Sequence, residues 1–203
     1  MRSRKIDEQG DSTVRTRQPA RGTRGSFIGF NSAVDKKSID ELLMLCGQAV
    51  RVGVPEVTIC MSSTGGALDA AFYGYNLLEA LPLKIITHNV GTVQSAALLI
   101  FVCGDERYAA PGTTFFFHDP AFEAKAQRLT GPALNKKLRA IEEEIARSAT
   151  ILAEKINRSE QRIKGWQTAE TLMDGATAVK AGVIKRVRPL SMPQGAFFQQ
   201  VTG

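Results

Sequence analysis

Residues 83–103 read LKIITHNVGTVQSAALLIFVC, and their pattern predicts a strand followed by a helix. The first eight residues, 83–90, are rich in β-branched and apolar side chains and predict a buried strand. Residues 91–95 form a turn, and the apolar run 96–103 predicts a buried helix that begins at or beside Ser95. The first N–H groups of a helix lack intrahelical partners, so they can donate to an oxyanion formed when Ser95 attacks a carbonyl. The alternative role for this serine is a helix cap.

The residues before this stretch predict a βαβ unit. Residues 56–61 are apolar and β-branched, as in a buried strand, and the turn Ser-Ser-Thr-Gly-Gly follows at 62–66. A helix is predicted over 67–81, where Pro82 ends it. Residues 34–52 form an earlier amphipathic helix. Alternating strands and helices are typical of an α/β layer structure.

His118 is the candidate base. Residues 113–117 predict a short strand that delivers this histidine, one of only two in the chain. The other, His88, lies inside the apolar strand 83–90, where a structural role is favoured. Neighbouring strand ends of an α/β sheet converge on one crevice, so His118 could reach the Ser95 hydroxyl.

Composition narrows the class of protein. A chain of 203 residues with 43% hydrophobic residues suits one globular domain. The longest apolar run, 96–103, is far shorter than the roughly 20 residues of a membrane-spanning helix. The N-terminus has positive charge without an apolar stretch behind it, which predicts no secretory signal and a cytoplasmic protein. Cys46, Cys60 and Cys103 lack metal-ligand spacing and are expected to be reduced core thiols.

The positive charge is concentrated at the N-terminus. Residues 1–25 carry seven basic and three acidic residues, which accounts for +4 of the net charge of +6. This segment is poor in large apolar side chains, so we expect a flexible tail at 1–25 and a folded domain at 26–203. No aromatic stacking platform accompanies the charge, and no nucleic-acid partner is predicted.

Three motifs in this order resemble the ClpP-type peptidases. They are Ser-x-Gly-Gly at 63–66, Gly-x-x-x-Ser at 91–95 before an apolar helix, and His-x-Pro at 118–120 after a strand. The similarity extends from about residue 27 to 187. The sequence differs from the family pattern at two places. Thr64 replaces a proline, and the glycine-rich stretch that follows His-x-Pro in the family is absent after Pro120. The resemblance implies an α/β fold of the ClpP or crotonase type, with stacked ββα repeats and a protruding long helix.

The resemblance also implies roles for individual residues. It implies a serine endopeptidase that uses no metal or cofactor, with Glu170 as the third member of a triad. Asp174 and Asp119 remain alternatives for that acid. The implied catalytic residues are Ser95, His118 and Glu170; the implied oxyanion donors are the N–H groups of Gly65 and Ala96; and the implied substrate-binding residues are Gly66, Ala67, Asp119 and Pro120.

A long helix predicted over 132–157 bears on assembly. Its apolar residues recur at spacings of three and four and form a narrow stripe. In the resembled family this helix joins stacked rings, so we expect a ring-shaped homo-oligomer, heptameric or a double ring. The chain has no Gly-Lys-Ser/Thr phosphate loop, so any unfolding AAA+ ATPase would be a separate partner. Two other functions remain open: a non-catalytic ring subunit, and a crotonase-type enzyme acting on acyl-CoA.

Overall fold

The computed structural model describes residues 25–119 and 130–203. The predicted tail, apart from Gly25, and the predicted substrate-binding residue Pro120 therefore lie outside the described residues. The strands are β1 (Ser26–Phe30), β2 (Glu56–Ser63), β3 (Lys84–Gln94), β4 (Glu106–Ala109), β5 (Thr114–Phe117), β6 (Thr171–Asp174), β7 (Arg186–Val187) and β8 (Phe197–Val201). The helices are α1 (Lys36–Arg51), α2 (Leu68–Ala80), α3 (Ala97–Phe101), α4 (Gly131–Ile156), α5 (Glu160–Thr168) and α6 (Gly175–Ala181).

The strands of the described chain form one mixed eight-stranded sheet. Its strands follow the order β6-β5-β3-β2-β1-β8; β4 branches from β3, and β7 pairs with β4. All pairs are parallel except β5 with β6. The predicted βαβ unit is confirmed, since β2 and β3 are parallel neighbours joined by α2. The structure is an α/β fold, as the sequence predicts.

Strand β3 is longer than predicted and brings the two candidate catalytic segments together. It was expected to end at Val90, but it continues to Gln94. Its first half pairs with β4 over Ile86–Asn89, and its second half pairs with β5 over Thr92–Gln94. Residues 91–94, predicted as a turn, are therefore strand residues because β5 supplies their hydrogen-bond partners. The chain turns only at Ser95.

The four predicted helices, α1 to α4, form within a few residues of their predicted bounds. Asp35 caps α1 in a capping box with Ser38, which accounts for its start two residues after the predicted one. Helix α3 is shorter than the predicted 96–103, and all five of its residues are buried in the main core. No helix among the described residues is long and apolar enough to cross a membrane.

The long helix α4 is packed along only half its length. Its C-terminal half buries Ala149, Leu152 and Ile156 in the domain core. No residue of 131–147 is buried, and the leucines of its apolar stripe at 134 and 138 are 56% and 53% exposed. The N-terminal half of the stripe therefore has no cover within the described chain.

Candidate active site

Ser95 occupies a strained turn between a strand and a helix. Its backbone is left-handed, with φ of 52°, a conformation that costs a non-glycine residue about 1 kcal/mol or more. Its N–H donates to the Phe116 carbonyl of β5 at 3.0 Å. The alternative role as a helix cap is not realised, because α3 follows Ala96 and has no side-chain cap. Such a turn presents the hydroxyl beyond the sheet edge, as strand-turn-helix nucleophiles require.

Gly65 and Gly66 form the wall opposite this serine. A Cβ atom on Gly65 would lie 2.7 Å from Ser95 Cβ and 2.8 Å from the Gln94 carbonyl oxygen, and its φ of 96° already favours glycine. A Cβ atom on Gly66 would lie 2.2 Å from the Val34 carbonyl oxygen. Ala67 donates its N–H to that same carbonyl at 2.8 Å. Gly65 thus allows the loop after β2 to pass directly beside Ser95, and Gly66 allows the same loop to pass close to the Val34 backbone.

The two predicted oxyanion donors differ in their present bonding. Within residues 25–119 and 130–203, the Ala96 N–H has no hydrogen-bond acceptor, and it lies at the start of α3 beside Ser95. The Gly65 N–H instead donates to Ser63 Oγ at 3.2 Å. Ser63 is buried and donates in turn to the Ser32 carbonyl at 2.7 Å. One predicted donor is therefore free, and the other is engaged by a long hydrogen bond.

Ser95 and His118 line one cleft of about 540 Å³. Strand β5 ends at Phe117, so His118 lies just past the segment that pairs with the end of β3. The imidazole stacks on Phe116 with ring centroids 5.3 Å apart. The structure thus brings the two predicted residues to the same opening, although the described contacts include no direct hydrogen bond between them. The other lining residues are Thr64, Gly66, Ala67, Leu68, Asp69 and Glu144.

None of the three carboxylates considered for the third role bonds to His118 in the described chain. Glu170 is exposed, with a left-handed φ of 47°, just after α5. Asp174 caps α6, and hydrogen bonds from the Thr177 hydroxyl and N–H lower the pKa of its carboxyl. The Asp119 side chain accepts from the Thr168 hydroxyl at 3.3 Å.

Two acidic residues of the cleft were not anticipated from the sequence. Asp69 belongs to the first turn of α2 and Glu144 to the middle of α4. Asp69 resembles an ordinary helix-start carboxylate, and Glu144 is one of three consecutive glutamates on an exposed helix. Nothing in the local sequence distinguishes either from a solvated surface residue.

The fold and the site define an α/β protein in which a strained serine and a histidine share a cleft at neighbouring strand ends. The chain belongs to the Clp protease family, whose family model matches residues 16–189. It is 22% identical over 195 residues to the ATP-dependent Clp protease proteolytic subunit 2 of Pseudomonas aeruginosa, which covers 92% of this chain and 94% of that protein. It is 24% identical over 133 residues to the protein of the same name in Borreliella burgdorferi, which covers 64% of this chain and 66% of that protein.

A solved structure shares the fold. The chain is similar to a single-residue mutant of ClpP1 from Listeria monocytogenes, with a TM-score of 0.71 and 16% sequence identity. The match covers 82% of this chain and 92% of that chain. The predicted ClpP-type α/β fold is confirmed by this likeness.

Proposed function

We propose that this chain is a serine endopeptidase that hydrolyses peptide bonds of unfolded proteins or peptides inside a ring-shaped oligomer. The observation that carries the proposal is the strained Ser95 in the same cleft as His118. Left-handed backbone at non-glycine residues clusters at functional sites, and Ser95 combines it with a cleft that His118 also lines. Family membership supports the same activity, because the relatives bear the name of proteolytic subunits.

The proposed chemistry is acyl transfer to water. His118 accepts the Ser95 proton as the serine oxygen attacks a peptide carbonyl, and it then protonates the departing amine. A water molecule activated by His118 hydrolyses the acyl-serine and restores the free hydroxyl. These steps need no metal or organic cofactor. Glu170 stays the predicted third member from the family resemblance.

The oxyanion would be stabilised by backbone N–H groups on two sides of Ser95. The Ala96 N–H has no acceptor among residues 25–119 and 130–203, and it lies next to Ser95 at the start of the short helix α3. The Gly65 N–H would exchange Ser63 Oγ for the substrate oxygen, which is favourable because a bond to a charged oxyanion is stronger than a 3.2 Å bond to a hydroxyl. Removing one such donor typically costs about 100-fold or more in rate.

A cysteine nucleophile is disfavoured. Burial raises the pKa of Cys46 to about 12 and that of Cys60 to about 11, and it raises the pKa of Cys103 as well. A thiol with so high a pKa carries almost no thiolate near neutral pH. All three thiols are buried and unpaired, which also suits the reducing cytoplasm that we propose as the compartment.

Substrate would lie as an extended strand across the cleft, between the loop that contains Gly66 and Ala67 and the segment after His118. Val34 already pairs with one edge of this loop through the Gly65 carbonyl and the Ala67 N–H, so the peptide would pair along its other edge. Asp119 and Pro120 are proposed to contact the peptide on the other side.

The ring assembly is supported by α4. The exposed leucines of its N-terminal half form an apolar surface on a helix that is otherwise charged, and a second subunit would bury it. A homo-oligomeric ring, heptameric or a double ring, is the proposed form. An AAA+ ATPase unfoldase is the proposed partner, in line with the words "ATP-dependent" and "subunit" in the relatives' names.

A fluorescent fluorophosphonate probe tests the activated serine. We expect the wild type to be labelled and both Ser95→Ala and His118→Ala to lose labelling, with native mass recorded in parallel. Labelling that persists in Ser95→Ala would refute the proposed nucleophile. Binding of CoA together with no labelling would favour the acyl-CoA alternative.

A non-catalytic ring subunit is the second candidate. It is favoured by the lack of a carboxylate bonded to His118 in the described chain and by the engaged Gly65 N–H. An assembled but unlabelled wild type that co-purifies with an active subunit would establish that role.

A further inference from the structure

A second opening, the α5–α6 cleft, is formed by residues of α5, β6 and α6 and of the turn before α5. It has two adjoining lobes of about 480 and 570 Å³. The lobes share Ser159, Arg162, Trp166 and Thr171. Among the described residues, none of those that line this cleft also lines the catalytic cleft of Ser95. The two clefts are therefore separate openings of the described chain.

The lining of the α5–α6 cleft is basic. Arg158, Arg162 and Lys180 line it, and no Asp or Glu does so in the described chain. All three side chains are exposed, and none has a carboxylate oxygen within 4 Å in residues 25–119 and 130–203. Three cations around one opening attract anions and repel other cations. The cleft is thus suited to a negatively charged ligand.

The carboxylates that flank this cleft in the sequence have other partners. Glu160 pairs with Lys164 at 3.6 Å. Asp174 caps α6, where hydrogen bonds from Thr177 lower the pKa of its carboxyl and the charge of Lys180 lowers it further. The charge of Lys180 is therefore partly balanced by Asp174. The two arginines of the cleft carry the unbalanced positive charge.

The chain holds the Arg158 guanidinium in place. Its Nη1 donates to the Asn157 carbonyl at 2.8 Å, and its Nη2 donates to the Lys180 carbonyl at 3.1 Å. A guanidinium has five N–H donors, so further donors remain for a ligand. A side chain that is already ordered loses less conformational entropy when it binds.

Trp166 adds an apolar wall to the α5–α6 cleft. Its half-buried ring packs edge to face with Phe117 at a centroid distance of 5.4 Å, and the Arg162 guanidinium lies 5.7 Å from the ring centroid. Met173 and Ala181 contribute apolar atoms to the larger lobe. An aromatic ring beside arginines suits a ligand that combines an anionic group with an apolar one.

We propose that the α5–α6 cleft is a docking site for an acidic segment of an extended polypeptide. A carboxylate of this segment binds the guanidinium groups of Arg158 and Arg162, since guanidinium and carboxylate match in two parallel hydrogen bonds. A neighbouring apolar side chain of the segment packs on Trp166. An extended chain can occupy both lobes at once, because they adjoin at their shared residues. The docking site does not depend on catalysis by Ser95, which lines the other cleft.

The fluorescence of Trp166 measures this binding directly, because Trp166 is the single tryptophan of the chain. Full-length Ser95→Ala, which lacks the proposed nucleophile and leaves the ligand intact, is titrated with a short capped peptide that alternates Glu and Leu. We expect a saturable blue shift of the emission as the peptide excludes water from the ring. The affinity should fall with added salt, because the charges involved are exposed.

Three control ligands define the chemistry. Peptides with Gln or Lys in place of Glu should give no saturable shift, because the first lacks charge and the second has the wrong sign. Inorganic phosphate should give none either, since it has no apolar group to pack on the ring. No shift with the Glu peptide, equal binding of the Lys peptide, or a saturable shift with phosphate alone would overturn the proposal.

Variants of the arginines assign the binding to this cleft. Arg162→Gln is expected to weaken the peptide affinity about fivefold, the effect of one exposed ion pair, and Arg158→Gln together with Arg162→Gln at least about tenfold. Arg51→Gln, at an exposed site in the last turn of α1, is the matched control and should keep the affinity within about twofold.

Two outcomes of these variants would contradict the docking site. One is wild-type affinity in the double arginine variant. The other is a lower native mass of that variant without peptide, which would assign the cleft to a contact between subunits. Binding is measured in a protein without the proposed nucleophile, so a failure of the proposed peptidase function leaves this test intact.

Discussion

Gly65 leaves no room for a side chain beside Ser95. A methyl group there would meet Ser95 Cβ and the Gln94 carbonyl at under 3 Å, on a backbone with φ of 96°. We expect Gly65→Ala to lower fluorophosphonate labelling at least tenfold, because the loop must move away from the oxyanion position. The free energy of unfolding should fall by about 1–3 kcal/mol.

Gly47→Ala is the matched control for that variant. Gly47 lies inside α1, and nothing lies within 4 Å of the position of an added Cβ. Alanine there should raise stability by up to about 1 kcal/mol and leave labelling unchanged. Equal labelling of Gly65→Ala and Gly47→Ala would show that the loop does not form part of the site.

Glu106 makes stability depend on pH in the acid range. The Tyr108 hydroxyl and the Lys84 ammonium, 3.0 Å away, lower the pKa of its carboxyl from 4.5 to about 2. A carboxyl with a lowered pKa contributes stability that is present above pH 4.5 and is lost as the pH falls toward 2. We expect the free energy of unfolding of Glu106→Gln, measured by urea titration, to fall less steeply than that of wild type as the pH is lowered from 4.5 toward 2. An unchanged slope in Glu106→Gln would refute this assignment.

The sequence predicts the positions of Ser95 and His118 because local patterns mark the strands before them. Ser95 and His118 each follow a recognisable strand, and parallel strand ends converge, so their common cleft could be anticipated. The left-handed backbone of Ser95 could not, because it results from β5 pairing with residues 92–94. The hydrogen bond between His118 Nδ1 and the main-chain carbonyl of Asp119, at 2.7 Å, was also beyond prediction, since a main-chain acceptor has no signature in the sequence.

Among the elements, α4 carries the assembly prediction. We expect the double variant Leu134→Ser and Leu138→Ser to reduce the native mass in analytical ultracentrifugation, because both side chains are more than half exposed and form the uncovered part of the stripe. The unfolding of the isolated subunit should change little, since neither residue touches the core. Met44→Ser, at an exposed site on α1, is the control and should keep the native mass. A double variant with wild-type mass would rule out α4 as the contact.

Helices could be located from the sequence, whereas a strand formed by long-range pairing could not. Helices α1, α2 and α4 were located within about two residues because their periodicity and breakers are local. Strand β8 was not predicted at all: its pairing with β1 joins residues 26–30 to 197–201, and such long-range pairing leaves no local pattern. It lies beyond the family match, which ends at residue 189.

For the whole molecule, the charge of the cleft predicts a substrate preference. Asp69 and Glu144 line it and form no ion pair among the described residues, so peptides with a basic side chain near the scissile bond should be favoured. We expect Glu144→Gln to lower the ratio of kcat/KM for lysine-containing over glutamate-containing quenched peptides about fivefold, the effect of about 1 kcal/mol. Glu143→Gln, on the same helix but outside the cleft lining, should keep the ratio. An equal effect of both variants would refute a role for Glu144 in selectivity.

Endoproteolysis by Ser95 within an assembled ring is the proposed activity of the whole molecule. The most direct measurement is incubation of size-fractionated protein with a permanently unfolded polypeptide, followed by mass spectrometry of the products, with Ser95→Ala fractionated in the same way. We expect internal cleavage fragments from the high-mass fractions of the wild type and none from Ser95→Ala. Fragments of equal abundance from both proteins, or none from an assembled wild type supplied with its unfoldase, would contradict it.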